Sequence, residues 1–352
     1  MDSNVSKNTN SHNFFKLQFN QEKLGISVKN LLKQELLLIL NLYQQKLNVQ
    51  IEPKLVTTIL SAKLKISQLK NNPAFEGKSI SNGYNHGSLA NYFLPIIYAC
   101  PLGMSLSANL QQSPQTIMEQ LSGLLTVKQN QLDFINLDPT NQDCSAQLLT
   151  EIVSLGWLNF YLDSQLIANW LQRSLSWSQA NHVQATNRGT YPLAQSPNRL
   201  FPAQYIHGRC CSLLSLGARE GIITCWNDDT NALDVTSSPV ISWLDPQHKL
   251  WFTELAEYNL LQQLLQISDS WLDHLENTEN TDVDHDPKHW SKIVLNLSQM
   301  TAIFLAECRL LGEVKQHYPQ KAIARLGLIA LVQFWLEKIL VEKLRVAAPR
   351  EL

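Results

Sequence analysis

The feature that most constrains the fold is a nearly continuous apolar run near the end of the sequence. Residues 326–336 read LGLIALVQFWL, with apolar side chains at almost every position. A helix on a protein surface needs only one apolar stripe, so most of the circumference of this helix must be buried. The run is shorter than the roughly 20 apolar residues that span a bilayer, and Glu337 and Lys338 close it. We therefore predict the central helix of a soluble helical bundle, beginning at Pro319.

Composition limits the other possibilities. A chain of 352 residues can hold two domains, and a charged fraction of only 16% predicts that most of it folds. The six cysteines are too sparse for a disulfide framework, and we expect no signal peptide. The adjacent Cys210 and Cys211 fit neither the spacing of a metal site nor that of a redox motif, so we interpret them as buried free thiols. A cytoplasmic location follows by default.

The first half of the chain mixes helical and strand patterns. Residues 1–12 are polar and unpatterned, which is typical of a disordered tail. The apolar spacing predicts an α+β domain over residues 13–175. We expect a helix over 27–46, a short strand over 47–51, a helix over 89–100, a helix from Ser113-Pro114, an apolar stretch over 152–162 interrupted by Gly156, and a helix over 165–175.

The second half is predicted to form an all-α bundle over residues 199–352, after a polar linker over 176–198. The segment 219–243 is irregular, with a possible short strand over 222–225, and the acidic stretch 274–288 is typical of a mobile loop. The predicted helices run from 199 to about Gly217, onward from about Gln247, from about His289 to Gly312, and through the terminal apolar run.

Segments at both ends of the second half resemble a known domain. Residues 205–214 read YIHGRCCSLL, which is similar to the Tyr-x-His-Ala-Arg-x-x-Ser-Leu/Ile-Leu pattern of the DALR anticodon-binding domain of arginyl-tRNA synthetases. Residues 324–329 (ARLGLI) and 346–352 (VAAPREL) resemble the close of the same domain. The resemblance implies a helical bundle that binds tRNA, with arginine tRNA as the species that this family charges.

The first half resembles the additional N-terminal domain of the same enzymes. The matching segments are 86–90 (HGSLA), 113–117 (SPQTI) and 156–160 (GWLNF), the last resembling a Gly-aromatic-x-Asn-Phe hairpin. The combined resemblance covers roughly residues 25–175 and 199–352. In the synthetases a large catalytic domain separates these two domains, whereas here only the predicted linker does.

The motifs of amino-acid activation are missing from the sequence. Class I synthetases hold ATP with His-x-Gly-His and Lys-Met-Ser-Lys motifs on a Rossmann fold, and neither string occurs here. The sequence also lacks Gly-x-Gly-x-x-Gly and the phosphate-binding Gly-Lys-Ser/Thr loop. We therefore expect a protein that is not an enzyme and that uses no cofactor.

Two candidate tRNA-binding residues lie in the hairpin-like segment. The resemblance implies that Trp157 and Asn159 contact a base in the tRNA D loop, because the aromatic residue and the Asn of bacterial arginyl-tRNA synthetases do so. Stacking and edge hydrogen bonding are how proteins usually read an unpaired base. The alternative is that Trp157 packs in a core and Asn159 stabilises the turn.

Four further candidate tRNA-binding residues lie in the bundle. Tyr205 and Arg209 share one face of a helix, and His207 points elsewhere. Arg209 could pair with a phosphate or stack on an anticodon base, or it could bridge neighbouring helices. Arg325 is flanked by apolar positions, so pairing with an internal carboxylate or with carbonyl groups is its alternative role.

One cluster has the residue types of a metal site. It consists of Asp282, Asp284, His285, Asp286 and His289. Metal sites need fixed geometry and supporting hydrogen bonds, which an acidic loop does not provide. A solvated loop is the favoured interpretation, and we predict no metal site.

These observations predict a non-catalytic relative of the synthetases that binds tRNA at its elbow and at its anticodon. The net charge of −2 is low for such a protein, so RNA binding would need a local basic patch. Two alternatives stay open. The chain could be a protein-interaction or structural module that has lost RNA binding, or the tRNA-binding part of a split arginine-tRNA ligase. No membrane partner is expected.

Overall fold

A computed structural model describes residues 27–66, 96–129, 148–153, 156–181, 199–223, 226–227, 232–233, 241–278 and 287–351. Within these ranges the protein is mainly helical, with a four-stranded antiparallel sheet and a two-stranded ribbon. None of the described helices is long and apolar enough to cross a membrane. The predicted tail over 1–12 lies outside these ranges.

The first half forms the four-stranded sheet and the helices around it. The helices are α1 (Val28–Leu47), α2 (Pro53–Thr58) followed by a π-helical turn (Ile59–Lys63), α3 (Leu102–Leu110), α4 (Pro114–Gln129) and α5 (Ser164–Ala180). The strands are β1 (Lys65–Ile66), β2 (Ile96–Cys100), β3 (Leu148–Val153) and β4 (Trp157–Leu162), in the order β1-β2-β4-β3. Helices and strands are therefore mixed here, as the sequence predicts.

The second half forms a helical bundle with a small β ribbon. Its helices are α6 (Phe201–Arg219), α7 (Leu255–Thr278), α8 (Pro287–Glu307), α9 (Glu313–His317) and α10 (Pro319–Lys338), which continues into a π-helical turn (Ile339–Lys343). Strands β5 (Trp226–Asn227) and β6 (Ala232–Leu233) pair antiparallel between α6 and α7. The second half is thus not all-α. Residues 222–223, at the start of the predicted strand, are bends rather than strand.

Helix α10 occupies the centre of the bundle, as its apolar run predicts. Every residue over 324–338 is buried. The helix packs against α5, α6, α7, α8 and α9. Pro319 stands at its first turn, where the missing N–H group leaves no hydrogen bond unmade.

The predicted helix over 89–100 is wrong for its last five residues, which form strand β2. This strand pairs with β1 on one side and with β4 on the other. A short apolar run that is buried on both faces has neither helical nor strand periodicity, so the pattern could not separate the two structures. Residues 89–95 lie outside the described ranges.

The predicted short strand over 47–51 is also wrong, because side-chain and backbone bonds end α1 there. Asn48 adopts a left-handed conformation with φ of 49°, and its N–H group bonds to the carbonyl of Gln44. The N–H group of Ile51 donates to Oε1 of Gln44 at 2.8 Å. The donors that a strand would offer to a neighbour are used within this turn.

Helix α7 begins at Leu255 rather than near Gln247. The carboxylate of Asp245 accepts hydrogen bonds from the N–H groups of Gln247 at 2.9 Å and Lys249 at 2.8 Å, which folds this segment into a turn. Glu257 accepts from the N–H groups of Thr253 and Glu254, and so caps the start of the helix. At its other end α7 extends to Thr278, into the predicted acidic loop.

The two halves share one continuous hydrophobic core. Helix α5 extends to Ala180 and so includes residues 176–180 of the predicted linker. Trp177, in that extension, packs its ring 5.6 Å from Trp335 and 5.3 Å from Phe334 of α10. Helix α1 packs against α7 in a second contact between the halves.

Candidate nucleic-acid interface

Helix α6 presents an exposed aromatic face. Phe201 is 52% exposed and Tyr205 is 45% exposed, and their ring centroids lie 6.3 Å apart with the planes 28° from parallel. Arg209 follows one turn later and is exposed. Residues four apart on a helix lie on the same face, so the three side chains form a line along α6. We call Phe201, Tyr205 and Arg209 the α6 face.

The opposite side of α6 carries His207, which is completely buried. Its Nδ1 lies 2.8 Å from the carbonyl oxygen of Pro349, and its Nε2 lies 3.2 Å from Nε2 of Gln333. A carbonyl group can only accept, so Nδ1 carries the proton and Nε2 accepts from Gln333. His207 therefore fixes the C-terminal segment to α6. The prediction that His207 contacts tRNA is therefore wrong, because the side chain is not accessible to solvent.

Residues 347–350 run along the edge of α6 beside this histidine. Nε2 of Gln204 donates to the carbonyl group of Ala347 at 2.8 Å. A Cβ atom at Gly208 would lie 3.4 Å from the carbonyl oxygens of both Pro349 and Arg350. The small residue at Gly208 lets this segment lie directly on the helix. The segment thus borders the α6 face without covering Phe201 or Tyr205, which stay exposed.

Arg325 is also removed from the candidate interface, because it pairs inside the bundle. Its Nε donates to Oε1 of Glu257 at 2.6 Å, and Nη1 donates to the carbonyl oxygen of Arg309 at 2.5 Å. The side chains of Arg325 and Glu257 are 4% and 0% exposed. The internal pairing that the sequence offered as an alternative is therefore confirmed, and Arg325 cannot reach an RNA molecule in this arrangement.

The outer face of the sheet carries the other two candidates. Trp157 and Asn159 alternate with the buried Leu158 and Phe160 along β4, so both point away from the core. Trp157 is 37% exposed, which rules out the alternative of a core tryptophan. Asn159 is 8% exposed and lies in mid-strand opposite Glu151, so it does not stabilise the turn.

Tyr161 completes this outer face. Its hydroxyl group donates to Oε2 of Glu151, and the neighbouring Asn159 side chain lowers the pKa of Tyr161. Burial, followed by the bond to Glu151, raises the pKa of Tyr161. Leu149, which pairs with Tyr161 across the strands, is 58% exposed. The outer face of the sheet is therefore aromatic and apolar, and the carboxylate of Glu151 would repel a phosphate group.

A close contact of two glycines positions Trp157. Gly156, with φ of +87°, allows the reversal before β4, and its Cα would lie 3.0 Å from a Cβ atom at Gly103. A Cβ atom at Gly156 would lie 3.0 Å from Cβ of Pro114. The corner between α3 and α4 thus packs directly onto Gly156, the residue before β4. The backbone N atom of Met104 would lie 3.2 Å from a Cβ atom at Gly156, and the Met104 side chain is 43% exposed.

The structure adds residues that the sequence reasoning missed. Phe201 extends the spacing of Tyr205 and Arg209 by one turn, so the same four-residue period could have identified it. Tyr161 continues the alternation of Trp157 and Asn159 along β4.

The described residues contain no group of three side chains arranged to hold a metal ion. Four members of the acidic cluster (Asp282, Asp284, His285 and Asp286) lie outside the described ranges. His289 is exposed and packs edge-on against Trp290, with ring centroids 5.4 Å apart.

The thiols in the described part of the chain match their predicted role. Cys100, Cys210, Cys211 and Cys308 are free and buried. Burial raises the pKa of Cys100 and that of Cys308 to about 12, and it raises that of Cys210 as well. Such thiols are protonated at neutral pH and are therefore poor nucleophiles and poor metal ligands.

Comparison with known proteins does not assign this arrangement. No protein-family model matches the sequence, no curated protein matches it, and no solved structure matches the fold.

Proposed function

We propose that this protein is a non-catalytic RNA-binding protein that contacts unpaired tRNA bases through the α6 face. The observation that supports the proposal most strongly is the exposed, stacked pair of Phe201 and Tyr205. Proteins bind splayed-out bases by stacking them on aromatic rings, and each stacked base contributes about 1–3 kcal/mol. Rings that are already exposed and aligned need no rearrangement to accept a base.

Arg209 supplies the charge for this site. It is exposed and has no ion-pair partner among the residues that the structure describes. A guanidinium group can pair with a phosphate or stack on a base. Because the net charge of the protein is −2, few other phosphate contacts are expected. The proposed affinity therefore depends on stacking more than on salt-sensitive charge neutralisation.

Trp157 is the proposed second contact, at the tRNA elbow. Its exposed ring at the β3–β4 turn could stack on a base, and Asn159 lies beside it. Asn159 is only 8% exposed and interacts with Tyr161, so its role would be to orient neighbouring groups rather than to read a base edge. We expect this contact to be weaker than that of the α6 face.

The test is binding of labelled arginine tRNA and of bulk tRNA to the full chain at about 50 mM and 200 mM salt. Tyr205→Leu removes the ring but keeps an apolar side chain, and we expect about tenfold weaker binding. Arg209→Gln is expected to remove one phosphate contact, which lowers the slope of the logarithm of the binding constant against the logarithm of the salt concentration by about one. Lys46→Gln is the matched control, because Lys46 is an exposed cation on α1, a helix that packs against α4, α7 and the π-helical turn over Ile59–Lys63.

The outcome that contradicts the proposal is clear. Equal binding by the wild-type protein, Tyr205→Leu and Arg209→Gln would show that the α6 face does not bind RNA. An absence of binding to either tRNA at the lower salt concentration would exclude the function itself.

A second candidate function is protein binding through the outer sheet face. It is favoured by Leu149 and Trp157, which are exposed apolar side chains beside the carboxylate of Glu151. Exposed apolar residues of this kind mark protein-interaction surfaces more often than RNA-binding ones. A Leu149→Ser variant would lower affinity for a protein partner and leave tRNA binding unchanged.

A further inference from the structure

The two halves of the protein meet at a buried carboxylate on α7. Asp269 is 8% exposed. Its Oδ1 accepts a hydrogen bond from Oγ of Ser27 at 2.7 Å, and its Oδ2 accepts from the hydroxyl group of Tyr98 at 2.7 Å. The N–H group of Lys29 donates to Oδ1 at 3.3 Å. One carboxylate therefore connects the bundle both to the start of α1 and to a central strand of the sheet.

The nearby positive charges are directed to a different carboxylate. Asp273, one turn further along α7, lies 2.6 Å from Nζ of Lys29 and 3.4 Å from Nζ of Lys33. Nζ of Lys29 also donates to the carbonyl group of Ser61 at 3.0 Å. Asp269 is left with hydroxyl and amide donors and with a like charge beside it. Burial and a neighbouring carboxylate both favour the protonated form of an acid.

We propose that Asp269 is a proton-linked latch, which takes up a proton on mild acidification and thereby stabilises the junction between the first half of the chain and the bundle. The hydroxyl groups of Ser27 and Tyr98 can accept as well as donate a hydrogen bond, so contacts remain possible when Asp269 is protonated. The proposal does not depend on RNA binding.

The electrostatic surroundings support this latch. Burial is the largest influence and raises the pKa of Asp269 from 3.8 to about 6. The bonds from Ser27 and Tyr98 and the charge of Lys29 lower the pKa, and the charge of Asp273 raises it. The charged and titratable groups that act on Asp269 are Lys29 on α1, Tyr98 on β2 and Asp273 on α7. Lys33 on α1 pairs with Asp273.

The expected pH dependence is opposite to that of an aspartate in an ordinary ion pair. Because the pKa is higher in the folded than in the unfolded protein, the folded protein binds the proton more tightly. The stability contributed by this group is complete below the unfolded value of 3.8 and is lost as pH rises through about 6. The unfolding equilibrium constant should rise about tenfold between pH 5 and pH 7.5 because of this residue.

The test compares chemical unfolding of the wild-type chain and of Asp269→Asn across this pH range. Asparagine resembles the protonated acid in shape and does not titrate, so the variant should lack the tenfold change. Glu52→Gln is the control, because Glu52 is exposed and should keep the wild-type pH profile. Parallel profiles for the wild-type protein and Asp269→Asn would overturn the proposal.

A local measurement keeps the proposal testable if Asp269→Asn folds poorly. Amide hydrogen exchange, corrected for the intrinsic effect of pH, should show α1 and β2 better protected at pH 5 than at pH 7.5. Ser27→Ala removes one donor to the carboxylate. Because the bond from Ser27 lowers the pKa of Asp269, the change in protection should then move to higher pH. Protection that is independent of pH in both proteins would contradict the latch.

Discussion

Two buried carboxylates on α7 illustrate different ways of placing an acid in the interior. Glu257 is fully buried and accepts from the guanidinium group of Arg325 and from two backbone N–H groups. Asp269 is nearly as buried, but two hydroxyl groups and one long amide contact are its donors. The same helix therefore holds one acid in an ion pair and another among uncharged groups.

The difference follows from position along α7. Glu257 lies in the first turn, where the partial positive charge of the helix N-terminus adds to the charge of Arg325. Asp269 lies in mid-helix, one turn from the negative charge of Asp273. An acid with a cationic partner fixes the packing of neighbouring helices through an ion pair. An acid with uncharged partners makes its contact sensitive to pH.

The largest effect that we expect comes from breaking the ion pair. Arg325→Met leaves the carboxylate of Glu257 buried without its cation. Removing one partner of a buried pair costs about 3–5 kcal/mol, so the free energy of unfolding measured in urea should fall by that amount. The control is Lys315→Met, since the Lys315–Glu220 pair is exposed and screened by solvent, and its loss should have no measurable effect. Equal effects of the two substitutions would show that Arg325 contributes only packing.

A smaller effect is expected from Tyr98→Phe, which removes a donor to Asp269. A hydrogen bond to a charged group contributes about 2 kcal/mol, so the loss at pH 7.5 should be about that large. The variant should lose less at pH 5, because the bond from Tyr98 lowers the pKa of Asp269 and its removal favours the protonated form. Urea unfolding at both pH values measures this difference. A loss that is the same at pH 5 and 7.5 would show that Asp269 does not titrate in this range.

Much of the α7–α10 arrangement was accessible from sequence, whereas the Asp269 contact was not. The apolar run over 326–336 predicted the buried helix, and the apolar flanks of Arg325 indicated an internal pair. Patterns of this kind are local, so periodicity and spacing reveal them. The partners of Asp269, in contrast, lie 171 and 242 residues away in the chain. Nothing near position 269 indicates that a serine and a tyrosine will reach it.

The candidate interface shows the same limit. The spacing of Tyr205 and Arg209 predicted a shared face, and His207 was expected to point elsewhere, which is confirmed. The sequence could not show that Pro349 and Gln333 bury His207, because both partners come from distant parts of the chain. Strand β2 was missed for a related reason, since its neighbours in the sheet, rather than its own pattern, determine its structure.

The smallest expected effect comes from Asp273→Asn, which changes the surroundings of Asp269 without touching it. Asp273 is 33% exposed, which screens its pairs with Lys29 and Lys33, but the two lysine side chains are only 8% and 5% exposed. Because Lys29 can pair with Asp269 instead, we expect a cost of about 1 kcal/mol. The substitution removes the like charge that raises the pKa of Asp269 and frees Lys29 to approach it. The pKa of Asp269 should therefore fall, and the pH dependence of unfolding between pH 5 and 7.5 should flatten. An unchanged pH dependence would show that the charge of Asp273 does not raise the pKa of Asp269.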